Sequence, residues 1–125
     1  MAHSVLTAPM ASIGVPTEIK ADEQRVALTP DAVRELVTQG LEVRIQNGAG
    51  AGAGISDDAF AAAGARLVNR EEAWAAHLVV KVKEPQQEEF SLLRDDMVLF
   101  TYLHLAAYSQ VGEALLDAGL SLIHI

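Results

Sequence analysis

Two short apolar runs end in residues that a buried strand should not carry. Leu78-Val79-Val80 runs into Lys81 and Lys83 before Pro85, and Met97-Val98-Leu99-Phe100 runs into Thr101, Tyr102 and His104. Continuous apolar runs of this length read as strands of a parallel sheet covered on both faces. In open α/β sheets, ligands bind just outside the carboxyl ends of the strands. An ammonium and an imidazole therefore stand at the edge where such folds do chemistry. A lysine just past a buried strand and followed by Glu84-Pro85 is well placed to bind a carboxylate. Lys83 lies further out than Lys81 and is the better ligand candidate, which leaves Lys81 a structural role. The plainer alternative has both lysines reaching into solvent. His104, between Leu103 and Leu105, reads equally as a core histidine or as a general acid–base, for which its ordinary pKa near neutrality is suited. Arg25 is either a solvated loop residue or a fork that holds a carboxylate in two parallel bonds, as a lysine cannot.

Other clusters carry less. Gly48-x-Gly50-x-x-Ala53 satisfies a loose dinucleotide fingerprint after a strand, with Glu71 and Glu72 downstream. That fingerprint needs its glycines to run straight into a helix N-terminus that holds the pyrophosphate. Here the next helix opens only at Ser56, so the segment reads as a connecting loop. His77 precedes its strand, at the opposite edge, and reads as a surface residue; His124 lies in the final run. Glu88, Glu89, Asp95 and Asp96 read as a solvated face. No histidine–carboxylate spacing makes a metal site, and no serine or cysteine nucleophile motif is present.

The elements that must position these residues follow in chain order. Ser12–Val15 reads as a strand, and the polar segment after Pro16 as a loop. Thr29 caps a helix whose first residue is Pro30, with Ala32, Val33, Leu36 and Val37 on one stripe and Gly40 as its stop. Leu41–Ile45 alternates as a half-buried strand. Ser56 caps a second helix ending at Gly64, Arg66–Val68 is a short strand, and Asn69 with Glu72 makes a capping box for a helix containing Trp74. Strand 78–82, an acidic helical stretch 87–94, strand 97–100, a helix from Ser109 to Asp117 and a strand-like run 120–125 complete the alternation. Such a pattern implies an α/β fold with a doubly wound, mostly parallel sheet.

With 125 residues, half of them hydrophobic and 21 % charged, the chain suits one globular domain. A net charge of −8 argues against nucleic acid or an anionic membrane as partner. With no cysteine, disulfides and thiolate sites are excluded, which is compatible with the cytoplasm. The first residues lack a basic n-region and a long apolar core, a poor signal peptide, and no run is long enough to span a bilayer. We divide the chain into an extension over 1–10, a domain over 11–120, and a doubtful tail over 121–125, where the chain stops inside a strand-like run.

The blocks IGVPTEIKADEQRVALTP, NGAGAGAGISDDAFAAAGA, LVVKVKEP and LLRDDMVLFTYLHLAA, in that order, resemble the N-terminal part of alanine dehydrogenases. The resemblance runs from Ile13 to Gly119. The nicotinamide nucleotide transhydrogenase α subunit shares the opening block. The second lysine of KVKEP and the histidine of TYLHLA, here Lys83 and His104, favour alanine dehydrogenase. The resemblance implies a truncated flavodoxin-like substrate domain of an enzyme that converts L-alanine, NAD and water to pyruvate, ammonium and NADH. It implies that Arg25 and Lys83 bind the substrate and that His104 is the catalytic acid–base. It also implies that NAD is held mainly by an inserted Rossmann domain absent from these residues, that the whole enzyme is a homo-hexamer, and that this stretch alone is inactive. Two alternatives remain: a transhydrogenase-like domain, and a non-catalytic module that binds a small carboxylate.

Overall fold

Each apolar run pairs into one sheet because the turn chemistry between runs returns the chain to the same edge. The computed structural model describes residues 11–101 and 109–124. Its elements are β1 (Ser12–Val15), α1 (Pro30–Thr38), β2 (Glu42–Gln46), α2 (Asp57–Ala62), β3 (Arg66–Val68), α3 (Arg70–Trp74), β4 (Leu78–Val80), β5 (Val98–Thr101), α4 (Ser109–Ala118) and β6 (Ser121–His124). Short 3-10 segments lie at Ala51–Ala53 and Gln87–Leu92. The strand order is β3-β2-β1-β4-β5-β6, and all six described strands are parallel. The order is the 3-2-1-4-5-6 of a doubly wound sheet, one strand more than the flavodoxin-like 2-1-3-4-5 that the resemblance implies, because β3 adds outside β2. The last run of the chain is β6, paired with β5 from Val98↔Ser121 to Thr101↔His124.

The helix starts form as their caps dictate. Thr29 Oγ1 accepts the Ala32 N–H ahead of Pro30, Ser56 Oγ accepts that of Ala59, and Asn69 and Glu72 make both bonds of a capping box. The far end of α3 is closed by Arg94, whose guanidinium donates to the carbonyls of Trp74, Ala75 and Ala76. A cation at this end satisfies orphan carbonyls and opposes the helix dipole.

The alternation of strand side chains builds two cores. Val15, Val43 and Ile45 face α1 and α2 and pack with Val33, Phe60 and Ala63, all buried. On the opposite face Val79 and Leu99 pack with Trp74, Met97, Val111 and Leu115. Gly14 faces α3 so closely that a Cβ there would strike the Ala73 carbonyl oxygen. Glycine at this position is what lets α3 lie on β1. On the first face, beyond the reach of α1 and α2, Leu78, Val80, Val98 and Phe100 are half-buried.

Candidate functional site

The strand order reverses between β1 and β4, and the crevice outside their carboxyl ends is where this architecture receives ligands. The loop after each strand gives one acid and one base to two reciprocal ion pairs. Glu18 after β1 accepts from Lys81 after β4 at 2.9 Å, and Lys20 after β1 donates to Glu84 after β4 at 2.8 Å. The first pair is sealed, with Lys81 and Glu18 side chains 0 % and 1 % exposed. Glu89, equally buried, stands 3.5 Å from the same ammonium. Burial pushes the Glu89 carboxyl up, against the pull of Lys81. Burial also pushes Glu84 up, but the bonds from Lys20 and its own backbone outweigh this and its pKa is lowered.

Glu18 does more than neutralise Lys81. Its two oxygens also accept the backbone N–H groups of Val82, at 2.8 Å, and of Lys83, at 3.2 Å. The β4 ladder therefore ends at Val80, and 82–83 hydrogen-bond to a side chain from the β1 loop instead of a neighbouring strand. The Lys83 carbonyl is held from the other direction by Thr101 Oγ1, at 2.9 Å.

Arg25 stands on the loop after β1, its side chain 65 % exposed. Its Nε and Nη2 grip the two oxygens of Glu23 at 2.9 and 2.8 Å, and its own N–H adds a third bond. The preceding turn brings Glu23 into place: the Glu23 N–H bonds the Lys20 carbonyl, and Asp22 takes a left-handed φ of 67° that a short polar side chain tolerates. Hydrogen bonds from Arg25 hold the Glu23 carboxyl at about 2 against burial, with the charge of Lys83 adding to the pull. Arg25 and Lys83 thus stand on the loops after β1 and β4, and at the β1-loop corner Arg25 grips the Glu23 carboxylate. His104 and Tyr102 lie outside the described residues.

A cleft of about 320 Å³ opens beside this corner, lined by Arg25, Val26, Ile55, Val80, Val82 and Phe100. The glycine loop borders it as a support. A Cβ at Gly52 would collide with the side chain of Gln24, so glycine there allows the Arg25 loop to rest on this one. The loop does not suit a dinucleotide phosphate: the Gly48 N–H is taken by Asp57 Oδ1 at 2.9 Å, and Asp57 and Asp58 occupy the first turn of α2. These carboxylates would repel a pyrophosphate, so this loop is not a phosphate cradle.

Sequence reading missed two acids and misplaced a third feature. Glu18 sat in a polar loop with no periodicity to mark it. Glu89 belongs to a run expected to form a solvated face; Glu88, Asp95 and Asp96 are exposed as expected, but Glu89 is buried, its carboxyl accepting the Gln86 N–H and standing 3.5 Å from the Lys81 ammonium. The strand expected over 78–82 is shorter for the reason given above. His77 is exposed, yet its ring Nδ1 bonds the Ser12 N–H at 3.2 Å and its own N–H bonds Ser12 Oγ at 3.0 Å, latching β4 to β1.

Comparison with known proteins agrees with this geometry. The alanine dehydrogenase of Mycolicibacterium smegmatis is 53 % identical over 109 residues, which cover 86 % of this chain and 29 % of that protein. A solved L-alanine dehydrogenase matches with a TM-score of 0.88 and 48 % identity, over 90 % of this chain and 32 % of that one. A transhydrogenase from Sinorhizobium meliloti matches with a TM-score of 0.84 at 28 % identity, over 90 % of this chain and 34 % of that one. The chain thus spans about 30 % of the length of the curated relatives it matches. Residues 14–125, β6 included, match the family model described as the N-terminal domain of alanine dehydrogenase/PNT. With nearly the whole chain inside that match, this protein belongs to the alanine dehydrogenase/PNT N-terminal domain family.

Proposed function

We propose that this chain is the substrate-binding side of an NAD-dependent alanine dehydrogenase, acting on L-alanine and pyruvate in the cytoplasm as part of a homo-oligomer. The observation that carries the reading is the placement of Arg25 and Lys83 on the two loops that leave β1 and β4, the strands flanking the switch point. A guanidinium and an ammonium so placed suit the carboxylate and carbonyl end of a small 2-oxo acid. Arg25 and Lys83 hold the substrate in one orientation, and His104 carries the proton as the imine and carbinolamine form and collapse. NAD, held mainly by a cofactor domain, would supply the hydride acceptor.

Arg25→Lys tests this in the intact protein. Loss of one charge-assisted bond to the substrate should raise KM for pyruvate by about tenfold or more, with a smaller change in kcat. An unchanged KM would remove the carboxylate role. The likeness to a transhydrogenase favours a second reading, that of a domain serving hydride exchange between nucleotides. Alanine-dependent reduction of NAD separates the two, since a transhydrogenase would exchange NAD with NADP and leave alanine untouched.

A further inference from the structure

We propose that Glu18 is a positioning residue for Lys83, acting through the backbone, with Thr101 as its counterpart. The inference rests on the reading of Lys83 as a substrate ligand. Lys83 lies beyond the end of β4, where no strand partner remains for its peptide groups: pairing with β5 stops at Val80↔Phe100. A lysine on an unpaired loop would wander, yet a binding group must be held within about 0.5 Å of its working position. Here both peptide groups flanking the Lys83 Cα are fixed. Glu18 Oε1 accepts the N–H and Thr101 Oγ1 donates to the carbonyl. Both anchors are buried, Glu18 at 8 % and Thr101 at 0 % exposure. Glu18 is itself fixed by the sealed ammonium of Lys81 and by the Val82 N–H. One carboxylate thus carries the rigidity of the core out to the first residue at the crevice. A counter-ion for Lys81 alone would not need to reach the next two N–H groups.

The test is a set of double-mutant cycles in the intact protein, reading KM for pyruvate and kcat separately. Glu18→Gln leaves the buried Lys81 ammonium facing an amide and so perturbs the fold as well as the site; Thr101→Val, which keeps shape and loses the bond to Lys83, carries the test independently. Each variant is combined with Lys83→Ala. Either single change should raise KM by about tenfold with kcat little altered. In the Lys83→Ala background, the same change should add nothing. A KM unmoved by Thr101→Val, or raised equally with and without Lys83, would overturn the positioning role, while Lys83→Ala still raised KM. If Lys83→Ala itself leaves KM unchanged, the ligand role of Lys83 falls, and the positioning role with it.

Discussion

Replacing Lys81 by methionine should destabilise the fold strongly at neutral pH and much less in mild acid. Methionine preserves most of the stem and removes the ammonium, leaving Glu18 and Glu89, each with a side chain 1 % exposed, without their cation. Breaking a buried pair from one side costs about 3–5 kcal/mol. Two features place this case at the lower end. Glu18 keeps the N–H groups of Val82 and Lys83, and Glu89 keeps that of Gln86 and already leans toward its neutral form through burial. We expect a loss of about 3 kcal/mol near pH 7. Without the ammonium, the Glu89 carboxyl, already pushed up by burial, loses the pull that opposed this, so the folded state takes up a proton there before the unfolded chain does. Stability should return as pH falls toward the ordinary carboxylate range, by up to about 1.4 kcal/mol for each pH unit and each proton taken up on folding. Urea titration at pH 7 and pH 5 measures both effects. The chain's single tryptophan, Trp74, is 1 % exposed in the α3–β4–β5 core and reports unfolding by fluorescence. A loss under about 1 kcal/mol, well below the range for a broken buried pair, would refute the reasoning, as would a loss equally large at both pH values.

Other perturbations test other joints. Gly14→Ala drives a methyl into the Ala73 carbonyl, and with Ala76 Cβ at 3.0 Å α3 must lift from β1; a cost of about 2 kcal/mol or more is expected in urea. Glu23, held at about 2 in the fold, contributes stability that is complete above its ordinary 4.5 and is lost as pH falls between those values. Because Arg25 faces solvent, the amount is about 1 kcal/mol at most, and Glu23→Gln should abolish that acid-side slope. Asn69→Ala removes the capping box of α3 and should cost about 1 kcal/mol, seen as a lower unfolding midpoint with an unchanged slope.

The framework was legible because its signals are local. Ser12–Val15 and Arg66–Val68 form strands with the bounds read from the sequence, and Thr29-Pro30 and Asn69/Glu72 start helices as their side-chain chemistry requires. The acidic stretch after Pro85 reads as helical over 87–94, but its form is a 3-10 turn from Gln87 to Leu92. Strand ends alone place Lys83 just past β4, where the structure has it. The partners did not follow, because each lies far off in sequence. Glu18 and Lys81 are 63 residues apart, and no periodicity marks an acid in a polar loop as the counter-ion of a lysine past another strand. Glu89 was missed although Lys81 is near in sequence: the adjoining Gln87 and Glu88 are exposed, while the Glu89 carboxyl turns inward to the Gln86 N–H and the Lys81 ammonium.

The central place of β1 also sets an order of events during synthesis. One neighbour, β2, follows within one helix of it, but the other arrives only with the segment of His77, 65 residues after Ser12. At ribosomal speed that interval is on the order of several seconds. Throughout it, one side of Ser12–Val15 presents a row of unsatisfied peptide groups, the kind of seam that recruits another chain's strand. The nascent protein is therefore most vulnerable to mispairing along its first strand, and the emergence of Leu78–Val80 is the event that closes it.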